Sequence, residues 1–134
     1  MMISTRGRYA LRVLTDMAEH SGDGYLPLKE IAARQEISLK YLESIMSALA
    51  KAGMVDSVQG KNGGYRLNRP LSEYRVGDVL RLTEGTLAPV SCLTENGEVC
   101  EKADTCRTLP VWDRLNTLVN DYLDSVSLQD LIEK

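Results

Sequence analysis

Between Arg8 and His20 the apolar positions Tyr9, Ala10, Val13, Leu14, Met17 and Ala18 recur at spacings of three and four, which predicts an amphipathic helix. The segment Ser21-Gly22-Asp23-Gly24 reads as the turn that stops it near Gly22. A second, short helix is expected from Leu28 to Gln35, opened by Pro27 and burying Leu28, Ile31 and Ala32. After Glu36 and Ile37 comes Ser38, a good N-cap because its hydroxyl accepts from an otherwise orphaned backbone N–H. The third helix then runs from Leu39 to about Ala52, with Leu42, Ile45, Met46 and Leu49 as its apolar stripe. Gly53 stands where a left-handed C′ residue is wanted.

Beyond Gly53 the period changes. Met54 to Val58 and Tyr65 to Leu67 read as two short strands around the glycine-rich tip Gln59-Gly60-Lys61-Asn62-Gly63-Gly64, a hairpin. Pro70 to Arg75 is a connector, and Val76 to Glu84 a short helix ending at Gly85. Leu87 to Thr108 keeps no period and is expected to be a loop. Pro110 opens a last long helix, with Val111, Trp112, Leu115, Leu118, Val119, Tyr122 and Leu123 on one stripe. That stripe is wider than a three-helix module needs, which favours a partner helix from a second subunit, with Trp112 and Tyr122 in the dimer core. Ser127 caps a terminal turn around Leu128, Leu131 and Ile132.

Composition changes this picture in two places. The 134 residues carry 43% apolar and 26% charged positions, ordinary for a folded chain with one modest core. No run approaches the ~20 apolar residues of a membrane span. Met1 to Tyr9 holds Arg6 and Arg8 but no apolar signal core, so a cytoplasmic home without a membrane partner is expected. Charge is unevenly placed: residues 1–69 hold 10 Lys/Arg against 7 Asp/Glu, and residues 70–134 hold 6 against 12. A basic half joined to an acidic half points to one polyanion-facing side. His20 is the single histidine and reads as a helix-end surface residue, so a Ser/His, Cys/His or multi-histidine metal site would have to be built around that one residue, which argues against much ordinary enzymology.

Helix, short helix, tight turn, capped helix and glycine-tipped hairpin is the order of a winged helix-turn-helix, whose third helix enters the major groove. Opposite the apolar stripe lie Lys40, Tyr41, Ser44, Ser47 and Lys51, polar and modestly basic as a base-reading surface requires. Ser38 at the helix start offers backbone N–H groups to a phosphate. Glu43 is the acidic exception, suited to accept from a cytosine amine and so to tune site choice. At the hairpin tip Gln59, Gly60, Lys61 and Asn62 suit the minor groove, which is too narrow for a helix.

All three cysteines fall in the aperiodic segment as Cys92-x7-Cys100-x5-Cys106. An odd set crowded into one loop reads as metal, cofactor or redox chemistry rather than a disulfide scaffold. Three thiolates suit an iron–sulfur centre or zinc. Glu95, Glu98, Glu101 and Asp104 share the loop, and their charge is expected to raise free thiol pKa values and to favour a bound cation.

With these motifs in view, the chain resembles the IscR/CymR-type winged-helix transcription regulators. The matching stretches are STRGRYALRVLTDMA, LKEIAARQEISLKYLESI, LAKAGMVDSVQGKNGGYRL, VGDVLRLTEG and LDSVSLQDL, which span nearly the whole chain. The resemblance implies a homodimer with a long dimerisation helix, bound to an inverted-repeat operator on double-stranded DNA. It implies that Ser38, Lys40, Tyr41, Glu43 and Ser44 hold base- and phosphate-contacting positions, and Gln59 and Gly60 minor-groove positions, with Gln59 where the family usually has Arg. It further implies an iron–sulfur cluster, of the 2Fe-2S kind, on Cys92, Cys100 and Cys106. Members with three cysteines carry a His three residues after the last one, where this chain has Leu109; another branch uses an Asp where this chain has Arg8. That leaves Glu101, Asp104, an external thiol or water as the fourth ligand.

The expected fold is mainly α with a small β-hairpin wing: a winged helix-turn-helix over residues 1–85, a cysteine-containing sensor loop over 86–109, and a dimerisation helix with C-terminal turn over 110–134. The expected function is a non-enzymatic, DNA-binding repressor sensing cluster or redox status. Two alternatives stand beside it: a cluster-free cysteine-metabolism or thiol-stress repressor controlled by a protein partner, and a small thiol or metal redox enzyme.

Overall fold

The first helix begins ahead of its apolar periodicity. In the computed structural model, which describes residues 2–20, 22, 24–95, 97 and 100–133, α1 runs Thr5–His20 rather than from Arg8. The reason is Ser4, whose hydroxyl accepts from the Gly7 N–H at 3.1 Å and supplies an N-cap that apolar spacing cannot register. The same hydroxyl donates to the Glu84 carboxylate at 2.6 Å, tying the helix start to a distant part of the chain. Ser21 and Asp23 of the expected turn, and Glu98 of the acidic loop, lie outside the described residues.

The helices α2 (Leu28–Gln35) and α3 (Leu39–Lys51) stand at the expected positions. Between them Glu36 takes φ +55°, a left-handed conformation that non-glycine residues seldom adopt, and this turns the chain sharply. The Ser38 hydroxyl accepts from the Tyr41 N–H at 3.2 Å, so the expected cap is present. All four stripe residues of α3 (Leu42, Ile45, Met46 and Leu49) are buried against Ala10, Val13, Leu14 and Met17 of α1 and Ile31 of α2. Gly53 follows with φ +75°, the left-handed residue the helix end requires.

One charged residue sits inside this core unannounced. Asp16 is 3% exposed, accepting from Arg34 Nη2 at 2.7 Å and Nε at 3.0 Å, and from Gln35 Nε2 at 2.9 Å. Burial opposes its ionisation, but those hydrogen bonds and the charges of Arg34 and His20 outweigh it and hold the carboxyl below the usual range. The pair locks α1 to α2. His20 ends α1 on the surface, with Nδ1 2.9 Å from the Asp16 carbonyl.

The hairpin pairs β1 (Val55–Val58) with β2 (Gly64–Leu67), antiparallel, from Val55 opposite Leu67 to Val58 opposite Gly64. Its other edge is stapled to the body: Leu26 donates to the Tyr65 carbonyl at 2.8 Å and accepts from the Tyr65 N–H at 2.9 Å. Gly64 makes this possible, because it has φ +152° and a Cβ there would run into the Leu26 carbonyl oxygen. Tyr74, itself buried, donates to the Met54 carbonyl at 2.6 Å and accepts from the Asn68 N–H at 2.9 Å, anchoring the hairpin base.

The expected helix over Val76–Glu84 forms α4, and α5 runs Leu109–Ser125. The connector carries a short 3₁₀ turn at Leu71–Glu73, and the cysteine loop another at Ser91–Leu93. Arg81 of α4 clamps α5 by donating to Asp124 at 2.8 and 2.9 Å and to Asn120 at 2.7 Å. A second apolar cluster of Val76, Leu80 and Leu87 receives Val119 and Leu123 of α5. The rest of the expected α5 stripe divides away from it: Val111, Trp112, Leu115, Leu118 and Tyr122 are exposed. The last helix, α6 (Leu128–Ile132), opens on a capping box between Ser127 and Asp130 and returns Leu128 to the core of α1–α3. Among the described residues no helix is long and apolar enough to cross a membrane.

Candidate nucleic-acid interface and cysteine loop

Burial of one stripe of α3 turns the opposite side outward. Lys40, Glu43, Ser44, Ser47 and Lys51 are exposed, and Ser38 stands exposed at the helix start with its hydroxyl engaged as the cap. Tyr41 is half-buried, its ring 5.8 Å from that of Tyr9, so it presents one edge while the other packs. The Tyr9 ring in turn lies under the Arg12 guanidinium at 5.0 Å.

Ser44 brings in a residue that the sequence reading missed. Arg6 of α1 donates from Nη1 to the Ser44 hydroxyl at 2.9 Å, setting a guanidinium on the flank of α3. The available signal was weak: Arg6 falls on the polar side of a helix whose apolar period begins only later. Its charge adds to that of Lys40 and Lys51 on the same side of the molecule.

Facing the first turns of α3 is the hairpin. Glu43 on one wall and Gln59, Gly60 and Lys61 on the other line an open cleft of about 500 Å³. Four of the eleven DNA-contact candidates therefore surround one space; Ser38, Lys40, Tyr41, Ser44, Ser47 and Lys51 belong to α3 and its cap, and Asn62 to the hairpin tip. Gly60 holds φ +112° at the tip, with open space around its Cα. The arrangement offers amide, amine, hydroxyl and carboxylate groups from a helix and a thin hairpin side by side, as reading of both grooves demands.

The cysteine loop is built differently. Cys92 lies half-buried in the Ser91–Leu93 turn, Cys100 is exposed, and Cys106 is half-buried just before α5; all three are free thiols. In kind, three thiolates are right for iron or zinc. In place they are not: among the described residues no three His, Cys, Asp or Glu side chains stand together as a metal ion needs. Among the described residues the three thiols do not close on one point, and neither Glu101 nor Asp104 joins them in a ligand set.

The expectation that acidic neighbours raise the thiol pKa values fails at Cys106. The Thr108 hydroxyl, 3.4 Å from Sγ, and the backbone N–H groups of Thr108 and Leu109 at the start of α5 hold this thiol below its ordinary value. The hydroxyl and N–H donors at the helix start set this thiol, with a smaller push in the same direction from the Lys102 charge. Glu95 is also turned elsewhere: its carboxylate accepts from the Thr86 hydroxyl at 2.7 Å.

A capped helix beside a glycine-tipped hairpin, on a three-helix body, defines a winged helix-turn-helix DNA-binding regulator. The sequence pattern of the Rrf2 family, described as an iron-dependent transcriptional regulator, matches residues 3–134. The chain belongs to the Rrf2 family of transcriptional regulators. It is 37% identical over 132 residues to the HTH-type transcriptional regulator IscR of Pectobacterium carotovorum, covering 98% of this chain and 79% of that one. In structure it is similar to CymR, the global cysteine regulator of B. subtilis, with TM-score 0.78, 35% identity and coverage of 99% and 97%. It is also similar to T. potens IscR, with TM-score 0.74, 34% identity and coverage of 99% and 87%. These relatives are regulators, not enzymes, which sets aside the redox-enzyme alternative.

Proposed function

We propose that the chain works as a homodimeric repressor of an inverted-repeat operator, with occupancy set by the state of Cys92, Cys100 and Cys106. The observation that carries the DNA-binding half is the single cleft shared by Glu43 of α3 and Gln59, Gly60 and Lys61 of the hairpin. The exposed apolar residues of α5 support the homodimer, since a second copy is a partner of matching shape. Two copies read half-sites about 34 Å apart, or a multiple of it, so a small rotation at α5 changes affinity. Ser38, Lys40, Tyr41, Glu43, Ser44 and Ser47 take the major-groove side, and Gln59, Gly60 and Lys61 the minor-groove side.

For the effector, similarity to IscR proteins and the kind of donor support an iron–sulfur centre. A second reading, a thiol-responsive repressor controlled through a protein partner, is favoured by three thiols that do not close on one point among the described residues and by the similarity to the B. subtilis cysteine regulator. Either way the responsive loop adjoins the start of α5. Anaerobically purified protein settles the choice: visible absorbance with iron and sulfide, lost in Cys100→Ala, supports the cluster, and a colourless, iron-free protein supports the thiol reading. Titration of the chain's own upstream DNA at several salt concentrations tests DNA binding. A log–log slope of about −0.9 per neutralised phosphate is expected. Tyr41→Ala should weaken specific binding more than non-specific binding. Absence of salt-sensitive binding in both coloured and colourless protein overturns the proposal.

A further inference from the structure

Two apolar side chains stand in the middle of this polar face without a core to belong to. Leu39, the first residue of α3, is 37% exposed, and Val58, the last residue of β1, is 45% exposed. Neither belongs to the apolar clusters that hold the body together. Both line the cleft that Glu43, Gln59 and Lys61 also line, Leu39 from the helix wall and Val58 from the hairpin wall. Val58 is uncovered for a structural reason: its cross-strand partner is Gly64, which has no side chain to lay over it. Leu39 is uncovered because it opens the helix directly after the Ser38 cap, three positions before Leu42, the first buried residue of the stripe.

The chemistry of the opposing surface narrows what such a pair can recognise. Along the major groove the base edges present donors and acceptors, and the only apolar group among them is the C5-methyl of thymine. A leucine at the N-terminal end of the reading helix stands where base edges are contacted. We propose that Leu39 is a specificity-determining residue that reads a thymine methyl in each half-site, while Val58, on the hairpin wall, packs on the sugar-phosphate ridge between the two grooves. The inference rests on the reading of this face as the DNA interface. Glu43 then supplies a hydrogen bond beside one apolar contact, and the operator should carry a fixed thymine where the polar groups alone would tolerate another base.

The test uses the full chain and duplexes selected by it from random DNA, with each thymine replaced singly by uracil, which removes one methyl and leaves base pairing intact. One thymine position per half-site should lose about fourfold in affinity on replacement, the worth of one buried methyl. In Leu39→Ala thymine and uracil should bind equally at that position, while other positions respond as before. Leu39 is exposed and alanine is a good helix former, so the variant should fold; the uracil series on the unaltered protein reads out independently of it. Specific binding that is indifferent to every uracil replacement overturns the inference and leaves the proposed function standing, as when the pair rests on deoxyribose. Sensitivity that persists unchanged in Leu39→Ala overturns the assignment to Leu39. Failure to select any sequence defeats the proposed function itself, a result distinct from the other two.

Discussion

The helices α1 and α5 are of similar length, 16 and 17 residues, and both are amphipathic, yet α1 buries six residues and α5 none. The apolar positions of α1 meet α2, α3 and α6 of the same chain. Those of α5 find only part of a partner: Val119 and Leu123 lean on the second cluster, while Val111, Trp112, Leu115, Leu118 and Tyr122 face outward. The winged-helix body therefore buries its apolar residues within one chain, whereas α5 keeps most of its stripe exposed and is held in place by the Arg81 clamp. Regulation through such a molecule has a natural seat. The reading surface rides on the body, while α5, the proposed contact between two copies, follows directly on the cysteine loop.

The sharpest way to break this contrast is to cut the same kind of side chain from each helix. Leu14→Ala in α1, where the side chain is fully buried, should cost about 2–5 kcal/mol in urea unfolding. If Leu118→Ala in α5 costs as much in dilute solution, the contrast between the two helices is false. Next in size is the effect on association. A charge at the outward face, Leu118→Asp, should weaken self-association about a hundredfold, roughly 3 kcal/mol, with circular dichroism unchanged. Sedimentation that gives one mass for both proteins would contradict α5 as the interface.

Within the body, Asp16→Ala should cost about 1–3 kcal/mol, less than a fully buried ion pair because Arg34 keeps a side in water. The pH dependence follows from the lowered pKa. The stability that ionised Asp16 contributes is present above its unfolded value near 3.9 and is lost as pH falls through the lower native value. The acid limb of the stability profile should therefore flatten in Asp16→Ala; an unchanged limb would place the acid sensitivity elsewhere. The smallest effect is a gain. Glu36→Gly relieves a non-glycine residue at φ +55° and should raise stability by about 0.5–1 kcal/mol in thermal unfolding, partly offset by the entropy of glycine.

The parts of this molecule legible in advance share a local cause. The stripe of α3, the Ser38 cap, the left-handed Gly53, the hairpin and the capped terminal turn each follow from spacing within a few residues. The parts that were not legible join positions far apart in the chain: Ser4 to Glu84, Asp16 to Arg34, Leu26 to Tyr65, Arg6 to Ser44. The α5 stripe shows the boundary within a single helix, since periodicity marked seven apolar positions as one face without telling which two the body would keep. At the interface the candidates on α3 and at the hairpin tip could be chosen from their polarity. Their meeting across one cleft, and the two uncovered apolar residues inside it, could not.

The amino-acid sequence by itself determined the order of helices and strands, the polar face of α3 and the gathering of three thiols in one segment, because these depend on neighbours along the backbone and on residue type. Only the tertiary structure decided which apolar residues lack a partner, which serine hydroxyls are already engaged, and that three nearby cysteines form no metal-holding group among the described residues. Those outcomes depend on what the folded chain brings alongside, and a carboxylate, hydroxyl or thiol takes its chemistry from that surrounding as much as from its own identity.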